Sequence, residues 1–265
     1  MNEEDTNGER KMNEQFMLFL LVLMRMSGFI FLNPILGRRN IPSIVKTGFS
    51  MALAVVVYSI TSQTVTIEST SAFVFGFLLL KEFFLGYLLG FVMELFLFAI
   101  TYSGAIMDFQ IGLSMATVYD AQNGTQSALT GTIFNIYYIL LFFAVDGHLA
   151  LMKILIESGQ VIPYGMAVIT RGSAQAILTI FSECVVLAVK LALPMIAIQF
   201  LVEIAVGILM KIIPQINLFV LNIQLKIIIG LIMIFVLISP IGSMFGTIIT
   251  QMMNEMIYVL KTATT

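Results

Sequence analysis

Long apolar runs separated by short polar connections make up most of the chain. A window of about 19 residues, matched to the ~20 residues that cross a hydrocarbon core of about 30 Å, finds seven of them. They cover 15–36, 42–61, 72–102, 127–157, 173–212, 216–239 and 241–260. The pattern predicts an all-α membrane protein of about seven long, kinked hydrophobic helices and helical hairpins with one polar re-entrant loop. The polar stretch 1–15, "MNEEDTNGERKMNEQ", is acidic, lacks the short basic region of a signal peptide, and is not followed by a small-residue cleavage site. It is expected to be a disordered tail, with the run from Phe16 kept as a mature helix. Residues 261–265 form a short C-terminal tail.

Two runs are wrong for simple spans. The segment 173–212 would be ~60 Å long at 1.5 Å per residue, about twice the hydrocarbon thickness. It carries Glu183, Lys190 and Glu203, with Pro194 near its middle. Charges at ~2.5–3.5 kcal/mol each roughly cancel the ~0.3–0.6 kcal/mol gained per large aliphatic residue. The segment 72–102, ~46 Å long, holds Lys81, Glu82 and Glu94. Such helices need protein around them. Along the latter, Glu82, Gly86, Gly90 and Glu94 recur every four residues and make a narrow polar, small-residue stripe. Gly86 to Gly90 is a GxxxG spacing, as is Gly242 to Gly246, and lets helix backbones approach closely. Packing within the chain accounts for such a stripe more readily than contact with a partner subunit.

The largest polar interruption is "DFQIGLSMATVYDAQNGTQ", residues 108–126. Asp108, Gln110, Gly112 and Ser114 alternate with Phe109, Ile111, Leu113 and Met115, a period of two that predicts an extended segment with one wet and one packed face. Asn123-Gly124 adds a turn signal. Extended backbone survives at membrane depth only inside protein or against a water-filled cavity. An ordinary surface loop is the plainer reading. Its length exceeds the ~12–15 residues usual for structureless loops, and its apolar content argues against disorder. Both favour a loop that lines a cavity.

Composition agrees: 59% of the 265 residues are apolar and 11% charged, with a mean hydropathy of +1.02. The net charge of -2, with basic residues spread along the chain, gives no basis for a nucleic-acid partner. One cysteine, Cys184, precludes an intrachain disulfide. With one histidine and no nucleophile, phosphate-loop or HExxH motif, no catalytic constellation is visible and no cofactor is expected; the chain reads as a non-enzyme. Arg38, Arg39, Lys46, Lys211 and Lys261 place alternate connections on the inner side, with the N-terminus outside and the C-terminus inside.

Other polar positions have bland alternatives. Asp146 and His148, two apart around Gly147, mark a helix break more readily than a proton relay. Glu183 and Lys190, seven apart, share a helix face and suit a buried pairing or a common neighbour. Most of the 18 methionines fill the core, whereas Met107 and Met115 bracket the polar stretch, where their flexibility suits a deformable seal. "RRNIP" (38–42) and "KIIPQIN" (211–217) are tight inner-side connections. Pro42 starts a helix and Pro214 ends one, while Lys211, Gln215 and Asn217 could dock a cytoplasmic partner.

Four segments in this order resemble the FliR family of type III secretion export-gate proteins: "LNPILGRRNIPSIVKTG" (32–48), "KEFFLGYLLGFVMELFLFAITYSGAIMDFQIGLSMA" (81–116), "DGHLALMKILIES" (146–158) and "GILMKIIPQINLFVLNIQLKI" (207–227). The similarity covers almost all of 16–260 and extends to injectisome counterparts. Lys211, Ala121, Asn222 and Gln224 depart from the pattern, where Arg, Pro, Gly and Pro are usual. The resemblance implies one export-gate domain over 16–260, FliP-like over about 16–172 and a FliQ-like hairpin over about 173–260. It further implies assembly with FliP and FliQ into an inner-membrane pore for unfolded flagellar proteins. FlhB would sit at the cytoplasmic entrance with FlhA nearby, and the loop 106–124, with Asp120, would act as plug. A small-solute secondary transporter is the alternative, since broken helices and midplane charges also mark such sites. It predicts repeated halves, and "DFQIG" has no second copy.

Overall fold

The computed structural model describes residues 3–38, 40–61, 71–114, 128–168, 170–212 and 218–263. Among them are seven long helices: α1 (Glu3–Leu32), α2 (Ser43–Ile60), α3 (Ala72–Ile111), α4 (Leu129–Ala144), α5 (Gly147–Val161), α6 (Arg171–Ile212) and α7 (Leu218–Thr262). No strand occurs among the described residues. Five helices are long and apolar enough to cross a membrane, six if α4 and α5 count as one broken span. The protein is an all-α membrane protein.

Several boundaries differ from the expected ones. The polar N-terminal stretch is helical from Glu3, because "EEDTNGERKMNEQ" feeds without a breaker other than Gly8 into the apolar run. The expected spans 216–239 and 241–260 are one helix, α7, with Pro240 inside it. A proline removes one backbone donor, and the remaining ladder holds the two parts together. The expected span 127–157 is instead broken: α4 ends at Ala144 and α5 begins at Gly147. Asp146 sits at the break in the left-handed region, φ 56°, and Gly147 opens α5. Residues 108–111 also differ from expectation. This stretch is not extended but forms the final turn of α3, which runs nine residues beyond the expected end at 102.

The described chain forms two compact units. The first comprises 1–95, 146–180 and 250–265; the second comprises 96–145 and 181–249. In the first, α1 and α3 cross backbone to backbone. A Cβ on Gly28 would lie 2.0 Å from the carbonyl oxygen of Phe83, and one on Gly86 would lie 1.9 Å from that of Arg25. Gly90 faces the carbonyl oxygen of Phe29 at 2.8 Å by the same measure. The glycines let the axes close, and around them Leu21, Val22, Met26, Phe29, Leu89 and Val92 are fully buried. Asn33 then stops α1: its Oδ1 accepts from the amides of Ile35 and Leu36, each at 2.9 Å, just before the chain turns through Pro34. Lys46 of α2 closes this turn by donating to the carbonyl of Gly37 at 2.8 Å. At the other end Thr170 caps α6, accepting from the Ser173 amide at 3.1 Å while its hydroxyl donates to the last carbonyl of α7, Thr262, at 2.9 Å.

In the second unit Phe245 of α7 packs edge-on against Phe134 and Tyr138 of α4, with ring centroids 5.8 and 5.6 Å away. The buried side of α6 is narrow. Cys184, Ala188, Leu191, Met195, Gln199, Val202 and Val206 are covered, at steps of three and four residues that follow one helical seam. The rest of this part of α6, including Phe181, Val185, Val189, Leu193, Phe200 and Leu201, is exposed.

Candidate functional site

The site builds from the last turns of α3 and the first turn of α4. α4 begins without help from its own sequence: Ala128, the residue before it, has no side chain that can accept from the first amides, which lack intrahelical partners. The missing acceptor comes from 22 residues earlier. Asp108 Oδ2 accepts from the Thr130 amide at 3.1 Å, and the Thr130 hydroxyl donates to Asp108 Oδ1. Asp108 is only 4% exposed. It therefore sits at the positive end of the α4 dipole, where a negative charge is favoured by ~0.3–2 kcal/mol.

Two further contacts join the same helices below this tie. Gly104 and Gly131 let them touch: a Cβ on Gly104 would lie 2.3 Å from the Gly131 nitrogen. One turn further, Asn135 Nδ2 donates to the Thr101 hydroxyl oxygen at 3.3 Å. Ile111, fully buried, seats against Gly230 of α7, where a Cβ would meet its Cγ1 at 2.5 Å. The chain leaves α3 at Gly112, φ 89°, whose amide donates back to the carbonyl of Asp108 at 3.0 Å. That backbone is the left-handed helix ending for which glycine is the usual residue.

The sequence-selected residues of this stretch thus divide by helical, not alternating, position. Met107, Asp108 and Ile111 are buried, Phe109 is 72% exposed, and Gln110, Gly112 and Ser114 are half-buried. Met115 and Asp120 lie outside the described residues, as do Pro214, Gln215 and Asn217; Lys211 lies exposed in the last turn of α6. Glu183 and Lys190 share an exposed face of α6, so no buried pairing of the two forms within the chain. Glu94 is exposed on α3, whereas Glu82, Gly86 and Gly90 are buried.

The second polar centre surrounds Arg25, a residue the sequence reading passed over. Arg25 and Glu82 are both fully buried, with Nε 2.6 Å from Glu82 Oε2. The guanidinium also donates to Ser158 Oγ at 3.3 Å and to the carbonyl of Ile162 at 3.0 Å, and lies 4.2 Å from the centre of the Tyr164 ring. The other oxygen of Glu82 accepts from the Gly165 amide at 2.8 Å. One ion pair thereby joins α1, α3, the end of α5 and the connection after it. The signal was present in sequence: an arginine inside an apolar run costs ~2.5–3.5 kcal/mol unless protein surrounds it. A third centre links α6 and α7, where Lys226 pairs with Glu203 and Gln199 Nε2 donates to the Lys226 carbonyl at 3.0 Å. Among the described residues no group of three or more His, Cys, Asp or Glu side chains comes together to hold a metal.

Long apolar helices, a buried ion pair between them and a polar clamp at the foot of a long connection define a polytopic membrane protein with interior polar architecture and no assembled catalytic group among the described residues. Residues 16–252 match the family described as bacterial export proteins, family 1. The flagellar biosynthetic protein FliR of Bacillus subtilis (strain 168) is 33% identical over 229 residues, 85% of this chain and 88% of that protein. FliR of Escherichia coli (strain K12) is 28% identical over 215 residues, 81% of each chain. The Yop proteins translocation protein T of Yersinia pestis is 27% identical over 211 residues, 78% of this chain and 80% of that protein. The chain belongs to this family of bacterial export proteins, the FliR family, and the small-solute transporter reading is not favoured.

Proposed function

We propose that this chain is a pore subunit of the inner-membrane export gate of a flagellar type III secretion system. It assembles with FliP and FliQ around the path of unfolded flagellar proteins, with FlhB at the cytoplasmic entrance and FlhA nearby. Its N-terminus lies outside and its C-terminus on the cytoplasmic side. The loop 106–124 helps to close the resting pore, with Met115 as a deformable part of the seal, while Met107, buried in the last turns of α3, anchors its start. The chain performs no catalysis in this role, and the energy for export comes from other components.

The observation that carries the reading is the amount of apolar surface that this chain leaves uncovered on helices too long for a bilayer. α6 and α7, with 42 and 45 residues, would be ~63 and ~68 Å long against about 30 Å of hydrocarbon. Exposed large apolar side chains run from Leu178 to Ile212 on α6 and from Ile228 to Tyr258 on α7, ~51 and ~45 Å of helix, more than the hydrocarbon can cover. Apolar surface beyond the bilayer needs other protein chains to cover it. Purification in mild detergent tests this. Co-purification of a large complex with FliP-like and FliQ-like subunits supports the gate; a stable monomer that moves a small solute into liposomes rejects it. Within the complex, Met115→Ala is expected to raise ion leakage at rest, and unchanged leakage removes the plug role.

A further inference from the structure

The contacts at the end of α3 do more than start α4. Thr101 with Asn135, Gly104 with Gly131 and Asp108 with Thr130 form three successive ties that zip the two helices together up to the point where the chain departs. Gly104 and Gly131 bring backbone against backbone, so this part of the junction has no long side chains with which to slide or swing. Asp108 is the outermost tie and the only one with a charge. Its carboxylate is buried against neutral donors, the amide and hydroxyl of Thr130, at the positive end of a helix dipole. Pulling α3 from α4 would strand that carboxylate away from its donors in an apolar setting, which strongly disfavours separation. Ile111, seated against Gly230, fixes the same turn to α7.

We propose that Asp108 and Thr130 form a clamp that keeps the two ends of the 112–128 connection together in the resting and the exporting protein alike. Export then proceeds without parting α3 from α4. Asp108 is in this view a positioning residue: it fixes where the connection starts and returns, and it neither faces the passing chain nor needs to. The inference rests on the proposed plug role of the connection for its leakage readout, but its mechanical content does not.

The test has two arms, both in the assembled complex. In the first, Thr101→Cys and Asn135→Cys are introduced with Cys184→Ala and bridged by a short, reducible thiol cross-linker, and secretion of flagellar proteins is measured before bridging, after bridging and after reduction. Secretion unchanged by the bridge is expected. Loss of secretion on bridging, restored by reduction, overturns the proposal because the foot must then open. In the second arm, Thr130→Val removes the hydroxyl donor at similar volume and Thr130→Ser restores it. A severalfold rise in resting ion leakage per assembled complex is expected for valine and none for serine; a variant that was merely unstable would lower the amount of complex without changing leakage per complex. If Met115→Ala leaks and Thr130→Val does not, the positioning role falls while the plug reading stands. If neither leaks, the plug reading falls, and the cross-linking arm decides the clamp by itself.

Discussion

Replacing Glu82 by Gln isolates the charge at the centre of the first unit while keeping the side-chain volume. Both carboxylate oxygens are in use, one on Arg25 Nε at 2.6 Å and the other on the Gly165 amide at 2.8 Å. A glutamine has one oxygen and one NH2 group, so whichever way it turns, a donor faces a donor. Arg25 stays fully buried with its carboxylate partner gone, held by Ser158, the Ile162 carbonyl, the Tyr164 ring and, in one orientation of the amide, the glutamine oxygen. Breaking a buried pair by removing one partner costs about 3–5 kcal/mol, a large share of a typical total of ~5–15 kcal/mol. The double variant Arg25→Met/Glu82→Leu removes both charges and returns apolar volume. What remains are two neutral groups, the Gly165 amide without its acceptor and the Ile162 carbonyl without its donor, at about 1–3 kcal/mol each. Since no member of the pair is left as an unpaired buried charge, the double variant is expected to be no less stable than Glu82→Gln alone. Thermal or denaturant unfolding of the purified protein in mild detergent measures both variants against wild type. A cost below about 1 kcal/mol for Glu82→Gln, or a double variant worse than the single, would refute the buried pair as the organising contact.

Gly86→Ala drives a Cβ to 1.9 Å from the backbone oxygen of Arg25, which a flexible side chain cannot relieve. A loss of at least ~1–3 kcal/mol is expected, non-additive with Glu82→Gln because both act on the same α1–α3 crossing; a double-mutant cycle checks it. At Gly112, φ 89°, an added Cβ meets nothing within 4 Å, so Gly112→Ala costs only backbone strain, ~1–2 kcal/mol. Gly112→Asn should be milder, and equal unfolding midpoints for the two would count against the left-handed ending. Gly230→Ala collides with Ile111 Cγ1 at 2.5 Å and should cost ~1–3 kcal/mol, recovered in part by Ile111→Ala; a double variant no better than Gly230→Ala removes that seat.

Helix existence was legible in the sequence because runs of about 20 apolar residues have few alternatives in a membrane. Where helices break or continue was less so. Pro240 looks like a boundary, yet α7 passes through it, since one lost donor is a local defect in a ladder of many bonds. The break between α4 and α5 lies inside an apolar run, at Val145-Asp146-Gly147, and its cue was the polar residue beside a glycine. The glycine stripe on α3 was visible through its four-residue spacing. Its counterpart was hidden, because Gly28 on α1 stands alone, and a lone glycine has no spacing to reveal it. Arg25 was missed for a related reason: its partners lie 57 to 139 residues away in the chain (Glu82 to Tyr164).

The stretch after Ala105 shows how a correct physical rule can be applied one turn too early. Polar and apolar residues alternate from Asp108 to Met115, but four helical residues can mimic a period of two. The decisive comparison is between Met107, Asp108 and Ile111, all buried, and Phe109, 72% exposed between them. Positions i, i+1 and i+4 share a helix face, whereas an extended strand would bury Phe109 with Met107 and Ile111. Because α3 carries its own hydrogen bonds through Ile111, the need to shelter unpaired backbone begins only at Gly112. This moves the polar logic of the stretch as well. Asp108 is not one of a row of wet positions facing a cavity; it is the acceptor that α4 lacks at its own first turn. A charge in the middle of an apolar protein is thus accounted for by a helix start 22 residues downstream, and the burden of any contact with an exported chain falls on residues beyond Gly112.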